Sequence, residues 1–290
     1  MGIIRSIEIK DGEHGYSLSG RRSDSFSDKS QVAEEQEEMY IHTFGRPGDP
    51  VILLLHPMGI TGTALYDIIS KYIPDRNSYF VISPDQGGHG SGGSYLSKAE
   101  EVNHLVGWLH DNNCMHIHFM FGASMGAALA YELIKKPELI FDKVWLDGAS
   151  FSDDAKIFCL FFTVAYRCLM RIARKKSEKV IGLLEKLYPR TFSEMIVDCC
   201  LKMDPNSAGM IFKACCDYGM IPMTEDIQKR LHIELDNGEK MQMRAISKYL
   251  PEADLKRNPN FGHCENMAKN TKDYVQRMCV WFSGGQIGSL

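Results

Sequence analysis

Two hydrophobic rhythms trade places along this chain. Continuous or nearly continuous apolar runs stand at 51–55, 79–83, 117–121 and 143–146, the pattern of strands buried on both faces. Between them, segments 62–73, 97–112 and 125–136 carry apolar residues at helical spacing. This alternation predicts a mostly parallel sheet with helices on both faces.

Ahead of that core, 3–9 and 39–44 read as short strands flanking the Ser-, Asp- and Glu-rich stretch 21–38, which is polar enough to be a mobile loop. From about 150 to 228 no strand of comparable quality occurs, and apolar residues recur at helical spacing, starting with Ile157, Phe158, Leu160, Phe161 and Phe162. An all-helical insertion is expected there. Strand character returns at 231–235, followed by a helix near 241–249, a weak strand near 253–258 and a last helix over 265–283. The expected division is one core in two parts, 1–150 and 230–290, interrupted by a helical unit at 151–229.

Composition narrows the function classes. With 44% hydrophobic and 24% charged residues the chain has enough apolar surface to fold, which excludes a disordered or fibrous protein. A formal net charge of −4 supplies no basic field for a polyanion, so no nucleic-acid partner is expected. Nine cysteines, none in a C-x-x-C pair, read as reduced thiols of a cytoplasmic protein. No secretory leader is expected at the N-terminus, and the longest apolar run, 157–162, is too short to span a bilayer. Gly2 and Ser6 satisfy the N-myristoylation pattern, which is short enough to recur by chance.

The candidate chemistry begins at Gly122-Ala123-Ser124-Met125-Gly126, between the strand ending at Phe121 and a helix-forming segment. Strand, sharp turn and helix is the setting of a nucleophile elbow, where the serine Oγ is lifted above the sheet and small residues on either side let backbone and helix approach. His263, in Phe261-Gly262-His263-Cys264-Glu265, precedes the last helix and offers a general base that titrates near neutral pH. His116 and His118 could share a metal from one strand face, but no third ligand stands in a nearby motif, so neither a metal nor an organic cofactor is expected.

Together with two further segments, these motifs resemble the α/β-hydrolase superfamily over nearly the whole length. Leu53-Leu54-Leu55-His56-Pro57-Met58-Gly59 is similar to its strand-to-loop segment that donates one oxyanion hydrogen bond. Pro57 has no N–H, so the resemblance points to the amide of Met58, with Gly59 as the alternative, and to Met125 as the second donor. Asp85-Gln86-Gly87-Gly88-His89-Gly90 resembles its loop after the next strand, which shapes the site mouth without being catalytic.

The resemblance implies a Ser-His-acid triad of Ser124 and His263 but leaves the acid open. Met241 occupies the position that usually carries it after the strand at 231–235. Asp147, ending the preceding strand, is the first candidate, and Asp236 or Glu239 are the alternatives. The insertion resembles a cap that roofs the pocket, with Ile157, Phe158, Leu160, Phe161, Phe162, Val164 and Tyr166 as its apolar lining. The implied activity is a serine hydrolase, an esterase acting on lipophilic carboxylic esters or related small-molecule acyl compounds. Hydrolysis of a C–C or thioester bond, or a catalytically weak ligand-binding protein on the same fold, are the alternatives. The basic stretch Arg167, Arg171, Arg174, Lys175, Lys176 and Lys179 reads first as a solvated helix face, with contact to an anionic membrane surface as the other reading.

Overall fold

The computed structural model describes residues 39–151, 156–237 and 242–284. The expected strand at 3–9, the loop at 21–38, the Gly2 pattern and Glu239 lie outside them. Seven strands form one sheet among the described residues: β1 (Tyr40–Phe44), β2 (Val51–Leu55), β3 (Phe80–Asp85), β4 (His116–Ala123), β5 (Ile140–Asp147), β6 (Leu231–Asp236) and β7 (Asp254–Asn258). Their spatial order is β1-β3-β2-β4-β5-β6-β7, with β1 antiparallel to β3 and every other pair parallel.

Helices α1 (Gly62–Ser70), α2 (Lys98–Asp111) and α3 (Met125–Ile134) connect the first strands, and α9 (Gln242–Tyr249), α10 (Glu265–Lys269) and α11 (Thr271–Phe282) complete the core. Side chains of β2 alternate between two cores: Leu53 and Leu55 join α2, α3 and α9 on one face, while Ile52 and Leu54 join α1 and α11 on the other. Both faces are dry, which is why this strand reads as a continuous apolar run.

The expected final helix is two helices. Cys264, just ahead of α10, stands in the left-handed region at φ 53°, and Asn270 breaks the path between α10 and α11. Those departures let the chain turn around His263 before the long amphipathic helix packs down. Between β5 and β6 the chain inserts α4 (Lys156–Ala173), α5 (Ser177–Leu184), α6 (Arg190–Lys202), α7 (Pro205–Cys215) and the short α8 (Glu225–Gln228). Asp204 caps α7 by accepting the amides of Asn206 and Ser207, and Ser207 Oγ in turn accepts the Tyr95 amide, tying α7 to the loop after β3.

Strand order reverses at β2, whose sequence successor β3 lies on one side and β4 on the other. The crevice at the carboxyl ends of β2 and β4 is therefore the position where open α/β sheets bind ligands.

Candidate active site

Ser124 stands between β4 and α3 with φ 52° and ψ −109°, a conformation a side-chain-bearing residue rarely adopts. Its neighbours make that turn possible. A Cβ on Gly122 would lie 2.6 Å from the Gly126 carbonyl oxygen, and one on Gly126 would lie 2.1 Å from the Leu55 carbonyl oxygen. Only glycine at both positions allows α3 to start this close to β4 and β2. The Ser124 amide donates to the Asp147 carbonyl at 2.7 Å, which pins the elbow to β5.

His263 meets this turn from the far side of the crevice, with Nε2 2.8 Å from Ser124 Oγ. The base loop is held at several points. The Cys264 amide donates to Asp236 Oδ2 at 2.8 Å, the Asn237 amide donates to the Phe261 carbonyl at 2.9 Å, and Tyr188 OH donates to the His263 carbonyl at 2.8 Å. The imidazole stands against Gly148, where a Cβ would come within 2.7 Å of His263 Cε1 and 3.0 Å of Nδ1. Asp147 immediately precedes that glycine and Asp236 accepts the amide of the residue immediately after the histidine, so both residues lie beside the His263 loop.

The two acids differ in what holds them. Asp147 ends a buried chain in which Trp145 Nε1 donates to Tyr274 OH at 2.8 Å and Tyr274 OH donates to Asp147 Oδ2 at 2.8 Å. Burial, with the negative charge of Asp147 beside it, holds the Tyr274 phenol far above its ordinary range, so it stays a donor. Asp236 is anchored to the base loop itself.

A pair of buried histidines shapes the turn after β2. Burial, reinforced by its neighbour His56, pushes His89 down to about 3, and burial also lowers His56. Both are therefore neutral. His89 Nε2 accepts the Gly59 amide at 3.1 Å, while His56 Nε2 accepts the Gln86 amide at 3.0 Å and its Nδ1–H donates to the Pro57 carbonyl at 2.9 Å. Asp85 fixes the next loop, accepting the Gly62 and Ser91 amides at 2.7 and 2.8 Å and His42 Nε2 at 3.0 Å. These contacts give the Asp85–Gly90 segment a bracing role around the site.

No protein-family model matches the sequence, and no curated protein does either. Solved structures match across most of the chain. MGS-M2, an α/β hydrolase enzyme from a Medee basin deep-sea metagenome library, superposes with a TM-score of 0.65 at 12% identity, covering 87% of this chain and 96% of that one. An esterase from Exiguobacterium antarcticum gives 0.61 at 11% identity, with 84% and 96% covered. The meta-cleavage product hydrolase CumD gives 0.59 at 16% identity, with 85% and 95% covered.

The chain has the α/β-hydrolase fold. In that α/β-hydrolase frame α4–α7 form the helical insertion over the carboxyl ends of the strands, but α4 does not face the site as expected. Leu160, Phe161 and Val164 are 67%, 65% and 52% exposed, and Phe162 turns sideways to stack on Phe212. Of the expected lining Tyr166 does turn inward, on a face shared with Thr163, Met170 and Ala173 at helical spacing. Ile157 and Phe158 lie outside the described side chains. Apolar contact near Ser124 comes from Tyr95, Met125, Met203, Ala208 and Ile211, with Met58 and Tyr166 packed against them.

The structure also supplies a third potential donor for the histidine pair at the opposite end of β4, since Asp142 joins His116 and His118. Two contacts already tie this group together: His118 Nδ1 accepts the Val51 amide at 3.0 Å, and Asp142 Oδ1 pairs with His116 Nε2 at 3.0 Å. Sequence reasoning missed Tyr188 and Tyr274, which act on the site from 75 and 127 residues away from their partners. No local motif marks either.

Proposed function

We propose that this protein is a serine hydrolase acting on carboxylic esters or related acyl compounds. The observation that carries the reading is the 2.8 Å contact between His263 Nε2 and Ser124 Oγ on a strained elbow. Ser124 Oγ bonds to the carbonyl carbon as its proton passes to His263 Nε2. The tetrahedral intermediate then expels the alcohol, which takes that proton, and water repeats the sequence on the acyl-enzyme.

The negative oxygen is received by the amides of Met58 and Met125. Pro57 has no N–H and the Gly59 amide is given to His89, so Met58 is the donor this turn can offer a substrate. Met125 is the first residue of α3, where helical amides lack intrahelical acceptors and the helix dipole favours an anion. For the orienting acid the geometry supports Asp236 over Asp147. Asp236 Oδ2 accepts the amide of the residue after His263, on the loop that carries the base, whereas Asp147 Oδ2 accepts from Tyr274 in the core.

The methionine, tyrosine and isoleucine side chains gathered beside Ser124 favour an apolar acyl group over a sugar or phosphorylated metabolite. Activity on a chain-length series of p-nitrophenyl esters tests both halves of the proposal. Turnover should rise from acetate toward longer acyl groups and vanish in Ser124→Ala. Turnover that survives the substitution would overturn the assignment.

A further inference from the structure

The face of α4 that turns away from the site has a composition unusual for a solvent-exposed helix. Leu160, Phe161, Val164, Cys168 and Ile172 share one side of it, and the three largest exposures there are 67%, 65% and 52%. The stripe continues toward α5: Ile172 of α4 and Leu183 of α5 line a groove of about 280 Å³ together with Lys179 and Lys186. Exposed apolar residues contiguous on this scale mark an interaction surface.

Charge says what kind. Arg167, Arg171 and Arg174 run along one edge of the stripe, and Lys175, Lys176 and Lys179 extend it, while no acidic residue occurs from 156 to 177. The first carboxylate after them, Glu178, is taken by Arg190 at 3.0 Å. Among the described residues, Arg171, Arg174 and Lys175 have no ion-pair partner. The three arginines also open onto a cavity of about 320 Å³ floored by Cys200, Met203 and Pro205, where guanidinium groups can engage phosphate oxygens.

We propose that the outer face of α4 and α5 docks on an anionic lipid bilayer, the apolar stripe entering the acyl boundary and the arginine edge holding phosphate headgroups. Apolar residues flanked by cations match the two layers of a membrane interface. No described helix is long and apolar enough to cross a membrane, so the contact is one of lying on the surface. A second copy of this chain is a poorer occupant, since a two-fold contact would bring cation against cation with no acid between. The inner face of the same helix reaches the apolar cluster beside Ser124 through Tyr166, so docking brings the crevice within about one helix diameter of the lipid.

The test is co-sedimentation of the full chain with phosphatidylcholine vesicles and with vesicles containing roughly one third phosphatidylglycerol, in low and high salt. The protein should bind only the anionic vesicles and release in salt. Arg171→Gln with Arg174→Gln should weaken binding about 25-fold, since each cation near such a surface contributes about five-fold. Phe161→Ser with Val164→Ser should abolish binding while leaving the circular dichroism spectrum and the melting temperature unchanged or higher. Ser124→Ala should bind as wild type does, so docking stands or falls separately from hydrolysis. Equal binding to both vesicles, full binding by either double variant, or self-association that Phe161→Ser with Val164→Ser disperses would overturn the proposal.

Discussion

Replacing Gly126 with alanine would set a methyl group 2.1 Å from the Leu55 carbonyl oxygen, 2.5 Å from its carbon and 2.9 Å from the His56 oxygen. All three obstacles are backbone atoms of β2 and the turn after it, so none can swing aside. Restoring an ordinary carbon–oxygen contact of about 3.3 Å requires α3 and the Ser124 turn to move by more than about 1 Å from β2. That motion separates the nucleophile from the Met58 amide, and a misplacement of this size costs about 100-fold in turnover. Overpacking also removes about 1–3 kcal/mol of stability. Gly107, exposed on α2 with nothing within 4 Å of its would-be Cβ, is the matched control, and its alanine variant should gain about 1 kcal/mol from helix propensity with turnover unchanged. The assay is p-nitrophenyl ester turnover beside thermal melting. A Gly126→Ala protein with at least a tenth of wild-type kcat and an unchanged melting temperature would refute the claim that backbone approach builds the elbow.

The remaining predictions concern acids. Asp236→Asn should lower kcat by about three to four orders of magnitude, as loss of the orienting acid does in other triads, with little change in KM. Asp147→Asn should act mainly on melting temperature through its bond from Tyr274, and the reverse ranking would assign the role to Asp147. Glu101, buried beneath the Gly87 amide, has its carboxyl pushed up to about 7 by burial, against an ordinary value of 4.5. The folded state thus binds the proton more tightly, and this group's stabilising contribution, full below pH 4.5, is lost as pH rises toward 7, by up to about 3 kcal/mol. Glu101→Gln should flatten the fall in melting temperature between those pH values, and an unchanged pH profile would contradict the burial argument.

What the sequence disclosed was whatever lies close along the chain. The runs 51–55 and 117–121, the glycines two positions either side of Ser124 and the missing N–H of Pro57 each carry their structural meaning within a few residues. A choice between Asp147 and Asp236 could not be read that way, because they end neighbouring strands, and the Cys264 amide that bonds Asp236 lies 28 residues along the chain. The orientation of α4 was hidden for another reason. Its inward face, Thr163, Tyr166, Met170 and Ala173, is no more apolar than the outward Leu160, Phe161, Val164 and Ile172, so periodicity alone gives no side for the core. The buried group of Glu234, accepting from Arg277 and from Asn258, was equally silent, since its members come from β6, β7 and α11.

Activation of Ser124 by His263 is the centre of the account, and reaction with a fluorophosphonate probe reads it without knowledge of the substrate. The wild-type protein should gain one phosphonyl group on Ser124 within minutes, identified by peptide mass. His263→Ala should be labelled slower by at least about 1,000-fold, because an unassisted serine is a weak nucleophile. Labelling at another residue, or equal labelling rates with and without His263, would contradict it.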